Sequence, residues 1–130
     1  MICVSVGNVD VRKCMERLEG LELAEVRLDT MDVDPVSVRA IFSMPLRLVA
    51  TCRSGRYGNA ERLGLFSNAM EAGASYVDVE TDAAPGFREE IGKLASRHNT
   101  QVIVSYHNYA ETPAEGLLRK MVRDAFSSGA

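Results

Sequence analysis

Glu25-Val26-Arg27-Leu28-Asp29 alternates charged with apolar residues. In a strand, residues i, i+2 and i+4 share one face. The segment therefore turns Glu25, Arg27 and Asp29 to one side and Val26 and Leu28 to the other. A solvent-washed antiparallel strand alternates in the same way. Here, however, the pattern returns at strand ends roughly two dozen residues apart. Arg53 closes Leu48-Val49-Ala50-Thr51-Cys52-Arg53, Asp78 and Glu80 alternate with Val77 and Val79, and His107 closes Val102-Ile103-Val104-Ser105-Tyr106-His107. In βα-repeat folds, active sites are built from groups delivered at the C-terminal ends of successive strands.

Working outward, strand-like runs cover Ile2 to Val6, Leu23 to Leu28, Arg47 to Cys52, Tyr76 to Glu80 and Gln101 to Tyr106. Helical patterns separate them. Val11, Cys14, Met15 and Leu18 form the first apolar stripe, with Asp10 as N-cap. Pro35 opens a second helix through Phe42, capped by Asp34. Leu63, Phe66, Met70 and Gly73 mark the third, and Phe87, Ile91, Leu94 and Ala95 the fourth. Pro113 opens the fifth, with Thr112 as cap, Glu115 as capping-box partner, and Leu117, Leu118, Met121, Val122 and Ala125 as its apolar face.

Strict βα alternation argues for a parallel sheet covered by helices. Five units complete a doubly wound open sheet, whereas a (β/α)₈ barrel typically takes about 250 residues. Periodicity alone favours the open sheet. The charged faces of the second and fourth strands favour the barrel, because core strands of a doubly wound sheet are usually apolar on both faces. A barrel lumen near its mouth accommodates charge.

The 130 residues suit one domain, spanning 1–130. A hydrophobic fraction of 46% supports a core, and a net charge of −3 lacks the basic character of a nucleic-acid binder. No apolar run reaches the roughly 18 residues of a membrane span, and no signal-like leader is evident. Cys3, Cys14 and Cys52 are odd in number and lack metal-ligand spacing, which points to a reducing compartment, the cytoplasm by default. Cys3 and Cys52 read as small hydrophobes in strands, with Cys52 turned away from Arg53.

His107 is the first candidate catalytic group, since a strand-end histidine can act as general acid or base near neutrality. Its structural alternative is a hydrogen-bonded loop histidine. His98 falls at a helix C-terminus, where it suits the helix dipole. Arg53 can bind a carboxylate or hydroxyl group. The loop Ser54-Gly55-Arg56-Tyr57-Gly58-Asn59 lacks the phosphate-binding pattern, and Arg56 reads as solvated. Glu25, Arg27, Asp78 and Glu80 suit either a substrate cage or a structural ion-pair network, and mutual pairing is expected in both cases. A divalent-metal site from these carboxylates and His107 is a further reading, opposed by the intervening Arg27 and Arg53.

Glu-Val-Arg-Leu-Asp at 25–29, Thr51-Cys52-Arg53, Tyr76-Val77-Asp78-Val79-Glu80, and Val104-Ser105-Tyr106-His107-Asn108-Tyr109 with Thr112-Pro113 resemble, in order and spacing, type I 3-dehydroquinate dehydratase. The resemblance implies a (β/α)₈ barrel of the shikimate pathway that converts 3-dehydroquinate to 3-dehydroshikimate through a lysine imine, with no cofactor or metal. It makes His107 the general base and then acid. It assigns Ser5, Glu25, Arg27 and Arg53 to the substrate's polar groups, with Asp78 and Glu80 supporting.

Two departures stand out. Tyr57-Gly58-Asn59 occupies the place of an acidic residue followed by two glycines, so the carboxylate that orients the histidine is absent there. The family's imine-forming lysine lies on the sixth strand, and Lys13, Lys93 and Lys120 all fall on predicted helices. The chain is therefore expected to correspond to the first five units of the barrel, without the nucleophile. Such a piece is expected to oligomerise or to accept a complementing C-terminal segment. A non-catalytic binding or assembly module and a metal-dependent isomerase or lyase are the rival readings.

Overall fold

The computed structural model describes residues 1–128 and residue 130. β1 (Val4–Val6) leads to α1 (Val11–Leu18). β2 (Leu23–Arg27) passes through a single 3₁₀ turn (Leu28–Thr30) to α2 (Pro35–Phe42). β3 (Arg47–Thr51) leads to α3 (Asn59–Ala72), β4 (Tyr76–Glu80) to α4 (Pro85–His98), and β5 (Gln101–Ser105) to α5 (Glu115–Ser127).

The strands form one sheet in the order β1-β2-β3-β4-β5, every neighbouring pair parallel. A doubly wound sheet reverses its strand order part-way across. Sequential order combined with right-handed crossovers instead puts successive helices on the same side. This is the wall of a β/α barrel rather than the open sheet that periodicity alone favoured.

The burial pattern follows the pleat. Val6, Ala24, Val26, Leu48, Ala50, Val77 and Val79 are buried beneath the helices, against Leu18, Val38, Ile41, Phe42, Phe66, Met70 and Ile91. On the opposite face, Ser5 is exposed, while Glu25, Arg27, Tyr76, Asp78 and Glu80 are half-buried. The helix ends are set locally. Asp10 accepts from the Lys13 N–H at 2.8 Å, and Asp34 accepts from the Ser37 N–H at 2.8 Å with Pro35 just inside α2. Gly73, at φ 114°, closes α3 in the left-handed conformation open to glycine.

Several boundaries depart from expectation. β2 stops at Arg27, because Leu28–Thr30 turns and the Thr30 hydroxyl donates to the Arg27 carbonyl at 3.0 Å. Asp29 thus leaves the strand and folds back toward Arg27. Cys3 precedes the short β1 and is exposed rather than packed, whereas Cys52 is buried as expected. α5 begins at Glu115, not Pro113, and neither Thr112 nor any other side chain caps it. An Asx turn occupies the segment before it, where Asn108 Oδ1 accepts from the Ala110 and Glu111 N–H groups at 2.9 and 3.2 Å. No residue of α5 is buried. β5 is the sheet edge, so its helix finds less apolar surface to cover than α2 or α3 does.

Core and edge should therefore respond differently to truncation. Phe66→Ala is expected to lower unfolding free energy by about 3–5 kcal/mol. Phe126→Ala, at a position 70% exposed, is expected to change it by less than about 0.5 kcal/mol. Urea titrations of the two variants check the contrast, and equal losses would contradict this packing.

Candidate active site

The concave face collects polar side chains in tiers. Ser5 lies beside Glu25 in the β1–β2 register. Nearer the C-terminal ends, Arg27, Thr51 and Asp78 stand side by side across β2, β3 and β4. Glu80 pairs in register with Ser105. Arg53 and His107 continue the same alternation just beyond the ends of β3 and β5.

Three of the carboxylates have partners of their own. The Ser5 hydroxyl donates to Glu25 Oε2 at 2.5 Å. Arg27 makes a two-pronged contact with Asp29, Nε to Oδ1 at 3.1 Å and Nη2 to Oδ2 at 2.8 Å. The Ser105 hydroxyl donates to Asp78 Oδ1 at 2.6 Å. Glu80 makes no side-chain hydrogen bond or ion pair among the described residues. The expected mutual pairing of Glu25, Arg27, Asp78 and Glu80 is therefore not formed. The face is open enough to keep these groups partly hydrated, and Arg27 is taken by Asp29. The described residues bring no three His, Cys, Asp or Glu side chains together as metal ligands.

Environment separates two of the aspartates. Burial raises the pKa of Asp29, but the Arg27 hydrogen bonds and charge and the Arg53 backbone N–H outweigh it, leaving the carboxyl below its ordinary value. Asp78 is pushed upward, first by burial. The Ser105 hydrogen bond opposes this, the Glu25 charge reinforces it, and His107 and Arg53 oppose it in turn. Asp78 thus shares one electrostatic neighbourhood with Glu25, Arg53 and His107. Burial, with the Asp29 charge, raises the Cys52 thiol to about 11, which argues against a thiolate nucleophile there.

Arg53 joins the ends of β3 and β5. Its Nη1 donates to the Tyr109 hydroxyl at 2.9 Å, and its Nη2 lies 3.0 Å from His107 Nε2. Its Nε is buried with no hydrogen-bond partner among the described residues, as is Thr51 Oγ1. Behind it, Arg62 is 3% exposed. Arg62 Nε donates to the carbonyl of Cys52 at 2.7 Å, and its guanidinium lies 4.6 Å over the Phe87 ring. This fixes the backbone immediately before Arg53. At the other end, Gly7 leaves room for Arg27: a Cβ there would meet Thr30 Oγ1 at 2.5 Å and Arg27 Cβ at 2.8 Å.

Glu25, Arg27, Arg53, Asp78 and His107 thus gather at one rim, with Ser5 behind Glu25 and Glu80 on the same face but outside the hydrogen-bonded cluster. Tyr57 faces elsewhere, donating to the Met31 carbonyl at 3.1 Å and packing on the core. Lys13, Lys93 and Lys120 sit on α1, α4 and α5. Lys93 pairs with Glu89 and Lys120 with Asp124, each at 2.6 Å. A groove of about 870 Å³ lies along α4 and β5 and contains none of the rim charges. An open concave face encloses little volume, so this groove does not mark the chemistry. Sequence reasoning gave no role to Asp29, Tyr109, Ser105 or Arg62. Arg62 had a legible signal: it occupies the buried register of α3, three, four and seven residues before Leu65, Phe66 and Ala69.

Comparison with known proteins gives a consistent result. The sequence model of the family described as Type I 3-dehydroquinase matches residues 2–130. The 3-dehydroquinate dehydratase of Desulfotalea psychrophila is 30% identical over 138 aligned positions, which take in 99% of this chain and 61% of that protein. That of Pyrococcus abyssi is also 30% identical, over 100% of this chain and 63% of its own length. Among solved structures, the 3-dehydroquinate dehydratase of Aquifex aeolicus VF5 superposes with a TM-score of 0.77 at 22% identity, covering 100% of this chain and 64% of that one. The type I enzyme of Clostridium difficile, carrying covalently modified comenic acid, gives 0.87 at 18% identity, over 98% and 58%. These superpositions speak for the fold, which is a five-unit portion of a β/α barrel. The chain spans about three fifths of the length of the relatives it matches.

The two aspartates should separate in a pH titration of stability. A lowered carboxyl contributes stability that is present above its ordinary value of 3.8 and lost as pH falls through the lowered one. A raised carboxyl acts oppositely, and stability falls as pH rises from 3.8 through the raised value. Asp29→Asn is expected to lower the melting temperature at pH 7, and Asp78→Asn to raise it, with the Asp78→Asn gain shrinking toward pH 4. Shifts of the same sign at pH 7 would contradict these environments.

Proposed function

We propose that this chain, which belongs to the type I 3-dehydroquinase family, supplies the substrate-binding rim and the general base of a 3-dehydroquinate dehydratase. The observation that carries this reading is the contact of Arg53 with His107, beside Glu25 and the Arg27–Asp29 pair, in a chain matched to that family along its length.

The chemistry is the loss of water from 3-dehydroquinate to give 3-dehydroshikimate. A carbon acid next to a ketone gives up its proton at neutral pH once the ketone has become an imine, because the electron pair then has a sink. His107 takes that proton and returns one to the departing hydroxyl, which leaves as water. Arg53, with a free buried Nε, and Arg27 donate to substrate oxygens, and Glu25, steadied by Ser5, accepts from a substrate hydroxyl. Asp78 acts as the carboxylate within electrostatic reach of His107, in place of the acidic group that Tyr57 does not supply. Glu80 supports the same face.

The imine lysine comes from outside these residues, because Lys13, Lys93 and Lys120 lie on helices away from the rim. Residues 1–130 act as one partial barrel domain. Its partner is a segment carrying the lysine on a sixth strand and covering the open edges of β1 and β5. None of the described helices is long and apolar enough to cross a membrane. The compartment is the cytoplasm, where Cys3, Cys14 and Cys52 stay reduced.

Turnover assays test the proposal. The chain alone is expected to show no enzymatic rate, since acid–base catalysis without the imine contributes only about 10²–10⁴-fold. Adding the complementing segment should restore turnover, and His107→Gln in the restored protein should lower kcat by about 10²–10⁴-fold. Comparable rates with and without the segment would overturn the reading.

A further inference from the structure

Two hydrogen bonds and one close approach join the loop after β1 to the turn that ends β2. The Asn8 N–H donates to Thr30 Oγ1 at 3.0 Å, and the Thr30 hydroxyl donates to the Arg27 carbonyl at 3.0 Å. A hydroxyl accepts and donates at once, so one side chain ties the two segments together. Gly7 lies against this junction, where a Cβ would meet Thr30 Oγ1 at 2.5 Å and Arg27 Cβ at 2.8 Å. Its backbone is outside the left-handed region, so closeness rather than conformation calls for glycine there.

The turn decides where Asp29 goes. In a continuing strand, Asp29 would stand roughly 6–7 Å farther along the same face than Arg27. Thr30 instead closes the chain onto the Arg27 carbonyl. Asp29 then folds back and meets the guanidinium with both oxygens, at 3.1 and 2.8 Å. A two-pronged contact of this kind fixes orientation as well as charge.

We propose that Thr30 is a positioning residue for Arg27. Its hydroxyl pins the β1 loop to the β2 turn. This holds the Arg27 backbone, brings Asp29 onto the guanidinium, and aims the remaining donors at the concave face. Gly7 leaves the space in which the three segments meet. That Arg27 then meets a substrate oxygen rests on the proposed function, whereas its placement by Thr30 does not.

Carbon NMR of the aspartate carboxyls in the whole chain reads this pair, and Asp29→Asn assigns the Asp29 signal. Burial raises the Asp29 pKa, but the Arg27 contact outweighs it and holds the carboxyl below 3.8. Thr30→Val keeps the side-chain shape and loses the hydroxyl, so Asp29 is expected to titrate at higher pH. Gly7→Ala crowds Arg27 and Thr30 and should have the same effect, which covers the case in which Thr30→Val does not fold. Thr30→Ser keeps the hydroxyl and should titrate as the wild type does. Asp34, lowered by its own contacts with Ser37, is the internal reference and should not move. An Asp29 titration unchanged in the folded variants, or an equal movement of Asp34, overturns the inference. In the completed enzyme, Thr30→Val should raise KM several-fold with kcat nearly unchanged, as when a contact shared by ground and transition states is loosened. An unchanged KM in an enzyme that does turn over overturns the positioning role. If the titrations move as expected but the completed enzyme never dehydrates 3-dehydroquinate, the functional reading fails and the placement of Arg27 by Thr30 stands.

Discussion

A strand in this sheet has its two faces in different media. Sequential parallel order with right-handed crossovers sends successive helices to one side, so Val26, Ala50, Val77 and Val79 enter an apolar core. Among the described residues, the other face receives no helix. Every second residue along each strand must then be content on a concave surface, and Glu25, Arg27, Asp78 and Glu80 are. The site exists because that face stays free for polar groups while the core carries the packing. The strand ends are where Arg53 and His107 reach past the sheet.

The energetics at the rim are mixed. Arg27 and Asp29 form a two-pronged pair that favours both charged forms. Asp78 sits against the gradient, with its carboxyl raised by burial and by Glu25. Arg62 is a buried cation whose partners are the Cys52 carbonyl, Asn59 and the Phe87 ring rather than a carboxylate. Burying such a group costs free energy unless it is well satisfied. Its return is a fixed backbone at the base of Arg53. Charges retained at a cost, close to one another and on one rim, fit a site kept for chemistry more than one kept for stability.

Much of the fold was legible because two periods are hard to confuse. The 3.6-residue stripes of Phe66 with Met70 and of Phe87 with Ile91 marked helices, and the two-residue alternation from Tyr76 to Glu80 marked a strand. The face of Glu25 and Arg27 was readable from the same alternation. Asp29 was expected to share the strand face of Glu25 and Arg27, but the Thr30 hydroxyl closes on the Arg27 carbonyl in a turn that alternation does not encode. The start of α5 was misplaced because Thr112 and Pro113 carry a good capping signal that the Asn108 turn forestalls. The ion-pair expectation failed because pairing depends on solvent access and on three-dimensional neighbours. Tyr109 closed the quoted 104–109 motif without a role there: its partners lie 56 residues away and two residues away, and only the fold unites them.

The proposed function puts the base and the substrate contacts on the concave face of this chain and the nucleophile on another segment. The most direct test is to mix the chain with that segment and 3-dehydroquinate, reduce with borohydride, and map the adduct by peptide mass spectrometry. A reduced adduct is expected on a sixth-strand lysine of the segment and none on Lys13, Lys93 or Lys120. An adduct on any of those three lysines would contradict it.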